Sequence, residues 1–211
     1  MQCGCNDIRL LEFDHIKDKS FSICRSFSKK AIENELQNTQ VLCIWCHRLK
    51  TRSQMDEIKA KTDEKYNSID RPINIEDARK CIGKLCNGQL QYKSLFYISQ
   101  IKNICKVCNS YTSREKREIN YNYVNKLKLS LKECELCKRE VTLQTTSCFD
   151  FDHIHDKTLE ISEFIRKNKD ARNEILEESK KCRLLCCNCH RIVTAKDLNY
   201  VYPTDELRSE T

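Results

Sequence analysis

No stretch of this 211-residue sequence approaches the about 20 consecutive apolar residues that a bilayer-spanning helix needs. Residues 1–30 hold no apolar segment of the kind that marks a secretory signal, so none is expected. Glycine is limited to three residues and proline to two, so turns built on either must be few and specific. Apolar residues make up only 39% of the chain against 33% charged, thin material for one large core. Domains this poor in apolar content are expected to be small and held by disulfides or metals.

The residue in excess is cysteine, with 16 copies. Without an export signal the chain is expected to be soluble and intracellular with reduced thiols, and metal binding becomes the leading use for them. A disulfide-rich scaffold is the competing reading, favoured only if purified protein holds neither zinc nor free thiols. The net charge of +7 is concentrated in the middle third: residues 71–133 carry 13 Lys/Arg against 5 Asp/Glu, while the segments on either side are nearly balanced. Such a localised positive field suits a phosphate backbone, with a merely solvated basic surface as the alternative.

The chain repeats itself. Phe13-Asp14-His15-Ile16, followed by Asp18-Lys19, precedes Cys43-Ile44-Trp45-Cys46-His47-Arg48 and Thr51. Phe151-Asp152-His153-Ile154, followed by Asp156-Lys157, precedes Cys186-Cys187-Asn188-Cys189-His190-Arg191 and Thr194. Four of the five histidines fall at these matched positions, which a core histidine has no reason to do. His155 is left without a role beyond exposed polar surface.

Cys134-x-x-Cys137 and Cys186-x-x-Cys189 have the spacing of a tetrahedral four-cysteine zinc site. In the first copy, Cys43-x-x-Cys46 is a regular knuckle, but its partner, Cys3-x-Cys5, is one residue short. Either that tight pair still ligates, or Cys5 acts with another group, or the site is degraded. Cys81, Cys86, Cys105 and Cys108 make a third set, with Gly83 and Gly88 close to Cys86, where tight turns aim ligands. Cys24, Cys148, Cys182 and Cys187 are expected to be ordinary buried thiols. Gln54 to Tyr66 reads as a polar helix, Arg71-Pro72 as a boundary, and Thr112 or Ser113 to about Lys132 as a basic helix capped by one of those hydroxyls. Arg114, Lys116 and Arg117 on it are candidate nucleic-acid contacts.

Taken together, the Asp-His pairs, the Cys-x-x-Cys-His-Arg runs and the wording Lys181-Cys182-Arg183-Leu184-Leu185-Cys186-Cys187-Asn188-Cys189-His190-Arg191 resemble the zinc-containing HNH (ββα-metal) endonucleases of phages and large DNA viruses. The resemblance covers roughly residues 3–52 and 134–196. The central four-cysteine module, with Phe96-Tyr97 between its halves, resembles a segment often found ahead of such domains.

The resemblance implies an α+β protein of small zinc-stabilised modules: two ββα-metal motifs, each a β-hairpin packed on one helix, around the central module and basic helix. It implies that His153 and His15 act as general bases, and that Asp152 with His190, and Asp14 with His47, hold a catalytic Mg²⁺ or other divalent ion. Structural zinc would sit apart from it on the cysteines. Arg48 and Arg191 would contact phosphate or stay solvated. Asn38 fills the family's loop-positioning place, where the second copy has Lys181. With its zinc frame intact, the second copy is the preferred active one.

The expected division is 1–53 first HNH-like domain, 54–78 helical linker, 79–111 central module, 112–133 basic helix, 134–198 second HNH domain and 199–211 tail. The expected function is hydrolysis of phosphodiesters in DNA, in a host cytoplasm or nucleus if the chain is viral. The alternative is a non-catalytic zinc-dependent nucleic-acid-binding or regulatory protein.

Overall fold

The computed structural model describes residues 3–16, 28–67, 70–72, 75–96 and 103–200. Asp18, Lys19, Cys24, Tyr97 and the tail from residue 201 lie outside them. The protein is α+β, with three separate two-stranded sheets, and no larger one, among the described residues. Among the described residues no helix is long and apolar enough to cross a membrane.

The first copy runs β1 (Leu11–His15), α1 (Lys29–Leu36), β2 (Thr39–Cys43) and α2 (Ile44–Asn67). β1 and β2 pair antiparallel, with Glu12 opposite Leu42, Asp14 opposite Gln40 and His15 opposite Thr39. Ser28 caps α1 by accepting from the Ala31 N–H, one of the donors the first turn cannot satisfy itself. The central module has β3 (Ala78–Lys80) paired antiparallel with β4 (Leu90–Tyr92), then α3 (Lys106–Leu131). The second copy runs β5 (Phe149–His153), α4 (Ile161–Arg166), α5 (Arg172–Ser179), β6 (Cys182–Cys186) and α6 (Cys187–Asp197), with β5 and β6 forming one sheet.

Three expectations need correction. α2 is one unbroken helix from Ile44 to Asn67, so the polar helix expected from Gln54 is its continuation. The basic helix starts at Lys106, ahead of the expected cap. Thr112 and Ser113 lie inside it and bond back to the carbonyls of Cys108 and Asn109, four residues earlier. The strands of each copy are joined by a segment containing helices, and not by a tight hairpin turn.

The chain forms two compact units that are not consecutive in sequence. One comprises Met1–Ser53, Leu131–Asp152 and Leu184–Thr211; the other comprises Gln54–Ser130 and His153–Arg183. In the first unit, Trp45 packs edge-on to Phe149 at 5.6 Å, and the Cys148 thiol points to the Trp45 carbonyl, so residues of both copies share one core. Its buried members include Leu10, Ile44, Cys148, Leu185 and Cys187. In the second unit, fully buried Asn120 of α3 bonds the Phe164 and Lys169 carbonyls and accepts from the Ala171 N–H. All three bonds fix the α4–α5 segment, as a buried amide requires.

The central module's core is mostly sulfur. Cys81, Cys86, Cys105 and Cys108 are fully buried, with Phe96 beside them. A methyl group on Gly83 would stand 2.4 Å from Cys108 Cβ and 2.7 Å from its Sγ, and Gly88 adopts φ +84°. Both glycines are therefore required, one by space and one by backbone. Gly83→Ala is expected to cost the protein roughly one zinc equivalent and to lower its melting temperature, since metal affinity and folding are one equilibrium in such modules. Metal analysis and a thermal scan of the purified variant check this; retention of full zinc overturns it.

Candidate metal centres

Among the described residues three groups of cysteine sulfurs are positioned to hold a metal ion, with the sulfurs of each group within 4.8 Å of one another. They are Cys81, Cys86, Cys105 and Cys108; Cys134, Cys137, Cys186 and Cys189; and Cys3, Cys43 and Cys46. Sulfurs bound tetrahedrally at about 2.3 Å stand about 3.8 Å apart. Cys81–Cys108, Cys86–Cys105 and Cys137–Cys186 measure 3.7, 3.8 and 3.6 Å, an arrangement consistent with structural zinc. Backbone N–H groups turn toward the sulfurs: Cys186 N to Cys134 Sγ, Cys189 N to Cys186 Sγ, and Cys105 N to Cys81 Sγ. The Cys134 thiol is held down to about 7, where burial is outweighed by the N–H groups of Cys137, Cys186 and Leu136. A thiol so disposed ionises readily, which metal ligation requires.

The first copy's group departs from expectation. Cys5 does not join Cys3, Cys43 and Cys46. With one intervening residue, Gly4 at φ +68°, the chain turns the Cys5 backbone N–H onto Cys3 Sγ. Cys3 and Cys43 sulfurs lie 3.3 Å apart.

The two matched histidine–carboxylate sets lie on the strands and following helices. Asp14 on β1 faces His47 on α2, with Oδ1 3.4 Å from Nε2. Asp152 on β5 faces His190 on α6, with Oδ1 3.5 Å from Nε2. Two ligands in adjacent octahedral positions at 2.0–2.1 Å stand about 3 Å apart, so each pair is close enough to share one hard divalent ion. In both copies a second acid holds the other ring nitrogen: Glu12 Oε2 lies 2.7 Å from His47 Nδ1, and Asp150 Oδ2 lies 3.0 Å from His190 Nδ1. A carboxylate on Nδ1–H fixes the tautomer and leaves the Nε2 lone pair toward the facing aspartate. Asp150 also raises the His190 pKa, with burial opposing it.

His15 and His153 likewise have acidic partners. His153 Nε2 lies 3.0 Å from Glu178 Oε1. His15 Nε2 lies 2.9 Å from Glu35 Oε1, though outside hydrogen-bond alignment. Glu35 and Glu178 are buried, on α1 and α5, the helices between the strands. Burial opposes ionisation of Glu178, yet Lys181, the N–H groups of Thr158 and Leu159, and His153 bring its pKa down to about 2.

These four acids, Glu12, Asp150, Glu35 and Glu178, escape a motif search because no short pattern contains them. The repeat does: Glu12 and Asp150 stand two residues before Asp14 and Asp152, and Glu35 and Glu178 stand twelve before His47 and His190.

The remaining candidates have protein partners. Arg48 donates to Asp150, and Arg191 to Glu12. Arg114 pairs with Asp63, Lys116 donates to the Asn168 carbonyl, and Arg117 donates to the Ser113 carbonyl. Asn38 contributes its backbone carbonyl to the Ile16 N–H, and Lys181 does the same for Ile154. This contact is made by backbone, so the asparagine-to-lysine difference leaves it intact. Lys50 pairs with Asp14 in the first copy, where the second has Val193. His155, expected to be exposed polar surface, is exposed and pairs with Asp156. No family profile, no curated protein and no solved structure matches this chain.

Two outcomes follow. Cys5→Ser is expected to keep the zinc content of the parent, whereas Cys3→Ser loses roughly one equivalent, because only Cys3 joins the sulfur group; elemental analysis decides, and equal losses would show Cys5 to be a ligand. For Glu178, a folded-state pKa of about 2, against the ordinary 4.5, means stabilisation that is present above pH 4.5 and lost as pH falls toward 2. Acid unfolding of wild type and Glu178→Gln should therefore converge across that window.

Proposed function

We propose that the protein is a metal-dependent endonuclease of the HNH type, hydrolysing phosphodiester bonds in DNA. The observation that carries this reading is that both Asp–His pairs approach to 3.4 and 3.5 Å through the same two atoms, Oδ1 and Nε2, in two independent copies. A protein that only binds nucleic acid has no use for that geometry twice.

Asp14 with His47, and Asp152 with His190, are the proposed holders of a divalent ion such as Mg²⁺. Their donor set, one carboxylate oxygen and one imidazole nitrogen with its second nitrogen already engaged, fits such an ion. When bound, the ion supplies Lewis-acid polarisation of the phosphate and a counter-charge for the leaving oxygen. Everything else falls to the chain. His15 and His153 follow the aspartates directly and are the proposed general bases. At His153 the buried glutamate bonded at Nε2 favours the proton there, leaving Nδ1 to accept a proton from water, and Glu35 stands at the matched place beside His15 Nε2. The glutamate also stabilises the imidazolium formed when that proton arrives. The turns from β2 into α2 and from β6 into α6 carry cysteines of the sulfur groups, which steadies the ligand histidines that follow them.

The two copies differ in one respect that bears on activity. Lys50 already sets a positive charge against Asp14, in competition with a divalent ion, and Val193 at the matched position cannot do so. This supports the second copy as the stronger centre. Linear and supercoiled DNA are the proposed substrates, and the positive charge concentrated in residues 71–133 supports a phosphate-backbone partner.

Plasmid nicking in Mg²⁺ or Mn²⁺ tests the proposal. His153→Ala should lower the cleavage rate by roughly 10²–10⁴, the contribution of a positioned general base. His15→Ala should have the smaller effect, and the double variant should be inactive with zinc content unchanged. Cleavage indifferent to both substitutions sinks the catalytic assignment and leaves a zinc-pinned binding protein.

A further inference from the structure

The two arginines that follow the ligand histidines reach across to the other copy. Arg48, beside His47, places Nη1 2.8 Å from Asp150 Oδ1 and Nη2 2.8 Å from Asp150 Oδ2, a fork on both carboxylate oxygens. Asp150 is the acid that holds His190 Nδ1. Arg191, beside His190, pairs with Glu12, the acid that holds His47 Nδ1. All six residues belong to one compact unit. The environments match as well as the partners: the arginine side chains are each 32% exposed, and the acids 26% and 25%. A surface salt bridge has no reason to recur with this symmetry, at matched positions and in reciprocal sense. Arg48 also donates to the Ser147 carbonyl, which adds a backbone anchor from the second copy's side.

We infer that Arg48 and Arg191 are exchanged positioning residues: each fixes, through one acidic side chain, the ligand histidine of the opposite copy, so that the two centres form a single intramolecular pair. This rests on the proposed reading of His47 and His190 as metal ligands. Each chain of contacts is short: guanidinium, carboxylate, Nδ1–H, with Nε2 turned toward the metal-facing aspartate. The fork holds both oxygens of Asp150, which restricts the carboxylate and with it the plane of the His190 ring. Removing Arg48 takes the fork off Asp150 and with it part of what orients His190, although His47 is the sequence neighbour of Arg48. Neither half is thus a self-sufficient centre, and the repeat is retained as a unit.

The test uses full-length, zinc-loaded protein and reads crossed effects. Ring ¹⁵N–¹H spectra of the histidines, without added divalent ion, should show Arg48→Ala moving the His190 ring more than the His47 ring, and Arg191→Ala moving His47 more than His190. Mn²⁺ binding is then measured with one centre left. In an Asp14→Ala background, Arg48→Ala should weaken binding roughly 10-fold and Arg191→Ala should leave it near the parent value; in an Asp152→Ala background the pattern should reverse. Arg48→Lys should recover part of the loss by restoring charge without the fork. If each arginine instead perturbs the histidine of its own copy, or both histidines equally, the exchange is wrong. Absence of Mn²⁺ binding in every variant would overturn the metal-ligand reading alone, because the ring spectra still decide whether the arginines act across the copies.

Discussion

Sulfur does here what apolar side chains do in larger domains. In the central module the fully buried core is four cysteines, with one phenylalanine beside them. Each sulfur group joins segments distant in sequence: Cys134 and Cys137 meet Cys186 and Cys189, and Cys81 meets Cys108. In the two copies the shared element is the turn from strand into helix, at Cys43–Cys46 and Cys186–Cys189. That turn also aims the following histidine. Sulfur grouping and backbone path are one constraint in the central module too, where a methyl group on Gly83 would collide with Cys108.

On this frame the polar residues are arranged by repetition. Glu12, Asp14, His15, Glu35, His47 and Arg48 correspond in order to Asp150, Asp152, His153, Glu178, His190 and Arg191. Each histidine meets one acid at the nitrogen turned away from its proposed task. His47 and His190 are held at Nδ1, which suits ligation through Nε2; His15 and His153 face their glutamates through Nε2, which suits proton transfer at Nδ1. The opposite assignment would send the proposed ligands' lone pairs away from the aspartates. Two histidines of like chemistry thus acquire different proposed roles from the side on which a carboxylate sits.

The parts of this arrangement legible in the sequence were those with fixed local spacing. Cys-x-x-Cys knuckles and Asp-His dipeptides announce themselves because the chemistry demands short, rigid ligand geometry. Partners contributed by isolated residues are silent to a motif search: nothing local distinguishes Glu35 from any other helix glutamate until α1 carries it under β1. The full alignment of the two halves contained that information, since the same acid recurs at the same distance from the ligand histidine. Helix starts were misread where hydroxyl residues suggested caps, because Thr112 and Ser113 satisfy themselves on carbonyls within a helix already begun at Lys106. The discontinuous units were not legible at all, as they depend on long-range packing such as Trp45 on Phe149.

The differences between the copies sharpen the functional reading more than their likeness does. The first copy holds three cysteines in its sulfur group and a lysine against its aspartate; the second holds four and has valine at the lysine's place. Under the proposed function both changes bear on the same thing, the readiness of a centre to take a hard cation in a rigid frame, and both favour the second. Yet the first copy retains Glu12, His47 and Arg48 in matching geometry, which a decayed duplicate would have no reason to keep. The proposed reciprocal bracing would account for that likeness: Arg48 forks onto Asp150, so losing the first copy's architecture would loosen the second proposed centre. On this view the weaker half persists because the stronger one leans on it.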